Sequence, residues 1–134
     1  MILWEKVGYS LEKNMRSQKN CMRKNKTEIE EITDRLLNFR DERNWEQFHN
    51  SKDLALALSI EAAELNELFL WKAAEDVNEE KLKEELADIL IFALLLARKH
   101  KLDVRDIILN KISVSEKKYP VEKSKNSAVK YSAL

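Results

Sequence analysis

Two acidic pairs, each at helical i, i+3 spacing, lie inside the most apolar stretches of this 134-residue chain: Glu61 and Glu64 in SIEAAELNELFLW, and Glu85 and Asp88 in EELADILIFALLLA. Burying a carboxylate without a partner costs on the order of several kcal/mol, so such groups must be protonated, paired with a base or bound to a metal. No Lys or Arg occurs between Asp53 and Trp71, or between Glu84 and Ala97, so these stretches carry no cation of their own. Side chains at i and i+3 project from one side of a helix, and each pair forms a two-toothed oxygen clamp. Antiparallel packing would bring the clamps together. Three or four carboxylates around a small space suit a hard divalent ion, Mg²⁺ or alternatively Mn²⁺, which keeps waters and a substrate phosphate in its shell. Glu67 extends the first clamp by one turn. An ordinary solvated acidic face is the competing reading, and Lys81 could pair Glu85 at i, i+4. It does not account for Asp88, the single charge from Leu86 to Ala97.

A di-iron bundle also uses helical carboxylates but needs Glu-x-x-His on two helices, whereas this chain has that spacing once, from Glu46 to His49 in the polar loop, and His100 does not follow a Glu at that offset. His100 reads as a surface residue. His49 belongs to a cluster with Trp45 and Phe48, and Trp71 closes the next helix. For any one ring, core packing is the commoner role, but several rings beside a metal clamp could stack a flat heterocycle.

The elements that must position these residues are helical. Glycine and proline occur once each, as Gly8 and Pro120, while strong helix formers dominate. Thr27 with Glu30 has the form of a capping box, predicting a first helix over about 28–43. The polar aromatic loop NWEQFHNS follows, and Ser51 is placed to cap a second helix over about 52–73. Asn78 caps a third, with Val77 set to staple against Leu82, and Arg98, Lys99 and Lys101 favour its C-terminal dipole. Asp103 opens a fourth over about 104–118, which stops before Pro120. The expectation is an all-α four-helix bundle in one domain. Its second and third helices are apolar around more than one stripe, so a homo-oligomer, most simply two-fold, should bury the excess.

Seven Lys and Arg against two Glu up to Lys26 make the head basic, at +5, and since the whole chain is neutral the rest carries −5. Residues 1–26 read as a basic extension, with Met15 and Met22 as alternative starts, 27–120 as the domain, and 121–134 as a polar tail anchored by Tyr131 and Leu134. The head lacks the interleaved aromatics of a single-strand binder, so no stable nucleic-acid partner is expected. Nor is a membrane: no run reaches the ~18 apolar residues of a span, and charges at Glu5, Lys6, Glu12, Lys13 and Arg16 replace a signal peptide's apolar run. A lone Cys21 fits a reducing compartment, and the expected location is the cytoplasm.

The paired E-x-x-E and E-x-x-D motifs, joined to ERNWEQFH, LFLWK and a later NK with KKYP, resemble the MazG-like all-α nucleoside triphosphate pyrophosphohydrolases, most nearly the dCTP pyrophosphatase type. The resemblance covers about Thr27 to Pro120, with an echo at KYSAL. It implies Mg²⁺-dependent hydrolysis of a nucleoside triphosphate to its monophosphate and pyrophosphate by an oligomer, commonly a dimer of dimers. By the same resemblance Glu61, Glu64, Glu85 and Asp88 would be the metal ligands, Trp45, Glu46, Gln47, Phe48, His49 and Trp71 the base-recognition residues, and Lys111 and Tyr119 the phosphate end. Phe92 stands where the dCTP type usually carries Tyr, Leu36 where some carry His, and Ser115 where many carry Asn. Two alternatives stay open: the same chemistry on dUTP or another non-standard nucleotide, and a non-catalytic helical interaction module.

Overall fold

The computed structural model describes residues 26–133, and the basic head before Lys26 lies outside them. Helix α1 spans Glu28–Asp41 and opens with the expected capping box: the Glu30 N–H donates to Thr27 Oγ1 at 3.3 Å, and the Thr27 N–H donates to Glu30 Oε2 at 2.7 Å. A 3₁₀ turn, Trp45–Phe48, leads to α2, Ser51–Glu67. Two details of α2 differ from the sequence expectation. Asn50, not Ser51, is the cap, accepting the Asp53 N–H at 3.0 Å, because Ser51 is already helical and its hydroxyl lies 3.0 Å from His100 Nε2. That contact ties the start of α2 to the end of the next helix, while His100 itself is exposed, as its sequence context predicts. The helix also ends at Glu67 rather than near Ala73. Leu68, Phe69 and Leu70 donate to carbonyls three residues back, and Trp71 takes the left-handed region at φ 60. Helix propensity in LFLW favours continuation; a left-handed bulky residue ends it, a conformation that local preference disfavours.

Helix α3, Glu79–Lys99, is capped by Asn78, which accepts the Lys81 N–H at 3.0 Å. It ends with Lys101 left-handed at φ 55 while the Leu102 N–H reaches back to the Ala97 carbonyl at 2.9 Å, a Schellman closure without the usual glycine. Helix α4, Val104–Lys118, starts on the Asp103 cap. A one-turn α5, Val121–Ser124, follows Pro120, and a last 3₁₀ turn, Tyr131–Ala133, closes the described chain. Tyr131 packs edge-on against Tyr119 with centroids 5.9 Å apart, under the Lys118 ammonium at 4.7 Å, so the tail is anchored to the end of α4. The structure is all-α, with no strand among the described residues.

The main packing is α2 against α3, with α1 laid on α3. Leu54, 2 % exposed, and Leu95 and Ala97 form the small buried core near the Ser51–His100 end. Around that end the first turns of α1 and α4 and the last turns of α3 surround a cleft of about 220 Å³, lined among others by Thr33, Leu94, Arg98 and Val104. Beyond its first turn α4 makes only sparse contact with the other helices. Leu56, Ile60 and Leu90 on α2 and α3 remain more than half exposed. No described helix is long and apolar enough to cross a membrane.

Candidate metal and nucleotide site

Helices α2 and α3 run antiparallel, so the Glu61–Glu64 turn faces the Glu85–Asp88 turn. One carboxylate oxygen from each of Glu61, Glu64 and Glu85 lies within 4.8 Å of the other two. Asp88, half-buried one turn beyond Glu85, stands beside this group, and its charge acts on both Glu61 and Glu85. Within one chain these carboxylates are less buried than the apolar sequence around them suggests: Glu61, Glu85 and Asp88 are half-buried and Glu64 is exposed. The reason is that α2 and α3 cover one another only along their shared seam. Glu67 is exposed and takes no part in the convergence.

The electrostatics of the cluster are unbalanced. The Glu61 carboxyl is pushed above its ordinary range by desolvation and then by the charges of Glu64, Asp88 and Glu85. Glu85 is raised by desolvation and by Glu64, Asp88 and Glu84, with Lys81 opposing. Among the described residues no Lys, Arg or His forms an ion pair with any of the four. Converging hard-oxygen donors with excess negative charge and no basic partner fit a divalent cation of the Mg²⁺ type.

Phe92 lies one turn after Asp88 on the same side of α3 and is half-buried. The WEQFH segment is elsewhere. Trp45 packs edge-on against Phe39 of α1, Glu46 lies 3.8 Å from Arg40 Nη2, and Gln47 Nε2 donates to the Asn44 carbonyl at 2.9 Å, so Gln47 holds its own turn. Phe48 is exposed, while His49 is half-buried with Nδ1 covered and without a hydrogen-bond partner. Burial holds the imidazole below its usual pKa, reinforced by the charges of Arg40 and Lys99. Lys99 ends α3, so this segment sits at the Ser51–His100 end, and about 15 Å of helix separates Ser51 from Glu61. Trp71 follows the other end of α2 and is 94 % exposed. The two tryptophans of one chain therefore straddle all 17 residues of α2, about 26 Å. Lys111 and Tyr119, on the loosely packed α4, are likewise not joined to the clamp within one chain.

Sequence reasoning overlooked Arg40 and Arg43, which hold the WEQFH turn from the end of α1. The Phe39–Arg43 spacing of i, i+4 was the available signal.

Comparison with known proteins bears on the family of the chain. Residues 56–134 match the MazG-like family. The chain is 40 % identical to dCTP pyrophosphatase 1 of Bos taurus, covering 79 % of this chain and 68 % of that protein, and 35 % identical to dCTP pyrophosphatase 1 of Homo sapiens, covering 79 % and 67 %. A crystal structure of a pyrophosphatase from Archaeoglobus fulgidus superposes with a TM-score of 0.66 at 35 % identity, over 71 % of this chain and 94 % of that one. With facing carboxylate pairs on two antiparallel helices and these relatives, the chain belongs to the MazG-like family, in the branch that holds the dCTP pyrophosphatases.

Proposed function

We propose that this chain, a nucleotide pyrophosphohydrolase by family, converts dCTP or a modified dCTP to the monophosphate and pyrophosphate with Mg²⁺ held by Glu61, Glu64, Glu85 and Asp88. The observation that carries the reading is the convergence of Glu61, Glu64 and Glu85 oxygens within 4.8 Å without a basic partner. A bound divalent ion would neutralise triphosphate oxygens and lower the pKa of a water. The protein's own groups do the rest. The four carboxylates fix where the charge sits, and Glu64, the most open of them, is free to take a proton from the attacking water. Lys111 steadies the departing pyrophosphate as a point charge, beside Tyr119. Trp45 and Trp71 supply stacking faces, and Glu46, Gln47, Phe48 and His49 the edge of the base pocket.

This assignment requires more than one copy. A single chain holds Trp45 and Trp71 at opposite ends of α2, so one base touches both only if they come from different subunits. The pocket is then shared: clamp and Trp71 from one copy, the WEQFH turn from another. A two-fold axis near the level of Leu56, midway in sequence between that turn and the clamp, would set them side by side and cover exposed Leu56, Ile60 and Leu90. Two such pairs would give the dimer of dimers. The cytoplasm, where nucleotides are abundant, is the proposed location.

The test is pyrophosphate release from a panel of nucleoside triphosphates with and without Mg²⁺. Turnover of dCTP above the other nucleotides, abolished by chelation, is expected. Metal-independent turnover, or purine triphosphates consumed faster than dCTP, would overturn the assignment.

A further inference from the structure

Arg43 connects the base-pocket turn to the helix before it, and the proposed mechanism gives it no part. It follows the last residues of α1 and reaches back one turn, where its Nη1 donates to the Phe39 carbonyl at 2.8 Å. That oxygen lies in the last turn of the helix, where carbonyls lack intrahelical donors. The head of the side chain is therefore pinned to main chain. From there the guanidinium carbon lies 3.8 Å from the centroid of the Phe39 ring and 5.9 Å from that of Trp45. The two rings meet edge to face at 5.8 Å and 82°. Glu42, 3.6 Å from Nη1, limits the swing of the charge.

The backbone leaves Trp45 little support of its own. Asn44 takes the left-handed region at φ 53 to reverse the chain, and the 3₁₀ turn that carries Trp45 is only four residues long. An indole on such a turn would sample several rotamers and lose that freedom on stacking a base, weakening binding. Phe39 and Arg43 hold the ring before the base arrives, while 43 % of Trp45 stays open.

We infer that Arg43 is a positioning residue that sets the Trp45 indole in its base-stacking orientation through the Phe39–Arg43–Trp45 stack. The inference rests on the reading of Trp45 as a base-stacking residue. Guanidinium geometry is essential to it, since lysine offers a point charge with neither a flat face nor a fork. Arg43 touches no reacting atom and acts on binding alone.

The test compares Arg43→Ala, Arg43→Lys, Phe39→Leu and Trp45→Ala with the full-length oligomer, using dCTP and Mg²⁺ for kinetics and 5-fluorotryptophan NMR, with the Trp45 line assigned by Trp45→Phe. Arg43→Ala should raise KM about tenfold for every nucleotide with kcat within about twofold, the signature of lost uniform binding. It should also shift and broaden the Trp45 line, with Arg43→Lys and Phe39→Leu moving both readouts in the same direction and less far. If Trp45→Ala raises KM while Arg43→Ala does not, the positioning role is overturned and base stacking stands. A fall in kcat at constant KM with an unmoved Trp45 line marks a loss of folded enzyme, and also overturns it. If Trp45→Ala leaves KM unchanged, base stacking itself fails and the positioning role falls with it.

Discussion

Trp45 and Trp71, the two aromatic residues proposed to hold one base, stand at opposite ends of the same helix, with the 17 residues of α2 between them. A shared site follows if both touch substrate, and subunit mixing tests it. Trp45→Ala and Asp88→Ala should each be poor enzymes at low dCTP. Co-refolded together, they should regain about a quarter of wild-type activity, because half of randomly mixed pairs carry one intact site. No recovery in demonstrably mixed oligomers would place each site within one chain.

The carboxylate cluster predicts metal dependence that can be seen without turnover. Mg²⁺ should raise Tm of the wild type, and the rise should be lost in Asp88→Ala. Activity of Asp88→Ala should fall at least about a hundredfold if Asp88 is a metal ligand as proposed. A folded Asp88→Ala variant with full activity would remove Asp88 from the site.

Glu61 and Glu85 should make the metal-free protein less stable as pH rises. Their folded pKa values lie above the ordinary carboxylate value, so the fold binds more protons than the unfolded chain in that window. Their contribution is fully present below the unfolded pKa and is lost as pH rises through the folded one. Glu61→Gln should therefore flatten the Tm profile across this acid range and raise Tm at neutral pH. A variant with the same profile as the wild type, both in chelator, would contradict this.

His49 acts in the opposite sense. Its folded pKa is lowered, so the neutral ring is the one the fold accepts. Stability from this group is complete above the unfolded value of about 6.5 and declines as pH falls toward the folded pKa. His49→Gln should lose less Tm than the wild type on acidification across that interval, a difference read by scanning calorimetry at matched ionic strength.

Phe92, one turn from Asp88, supplies a ring without a hydroxyl at the clamp. Phe92→Tyr should raise the ratio of kcat/KM for dCTP over dUTP by about tenfold, the worth of one additional hydrogen bond. An unchanged ratio would place Phe92 outside the base pocket.

The sequence alone determined the helices, because their signals are local. Thr27 with Glu30, Asn78 and Asp103 cap where side-chain oxygen meets orphan N–H, and the run from Leu82 to Ala97 can only be a helix with a wet end and a dry one. It also determined the clamp, since i, i+3 spacing on a helix fixes which carboxylates share a side. Only the tertiary structure decided where α2 stops, because the left-handed Trp71 runs against its own local preference. Only the tertiary structure decided that WEQFH lies beside Arg40 and Lys99 and away from the clamp of its own chain, for proximity in sequence to a helix says nothing about which end of it a residue joins. The sparse packing of α4 and the exposed Leu56 and Leu90 have the same origin. Apolar periodicity states that a face must be covered, and only the packing of the folded chain shows which apolar side chains stay exposed.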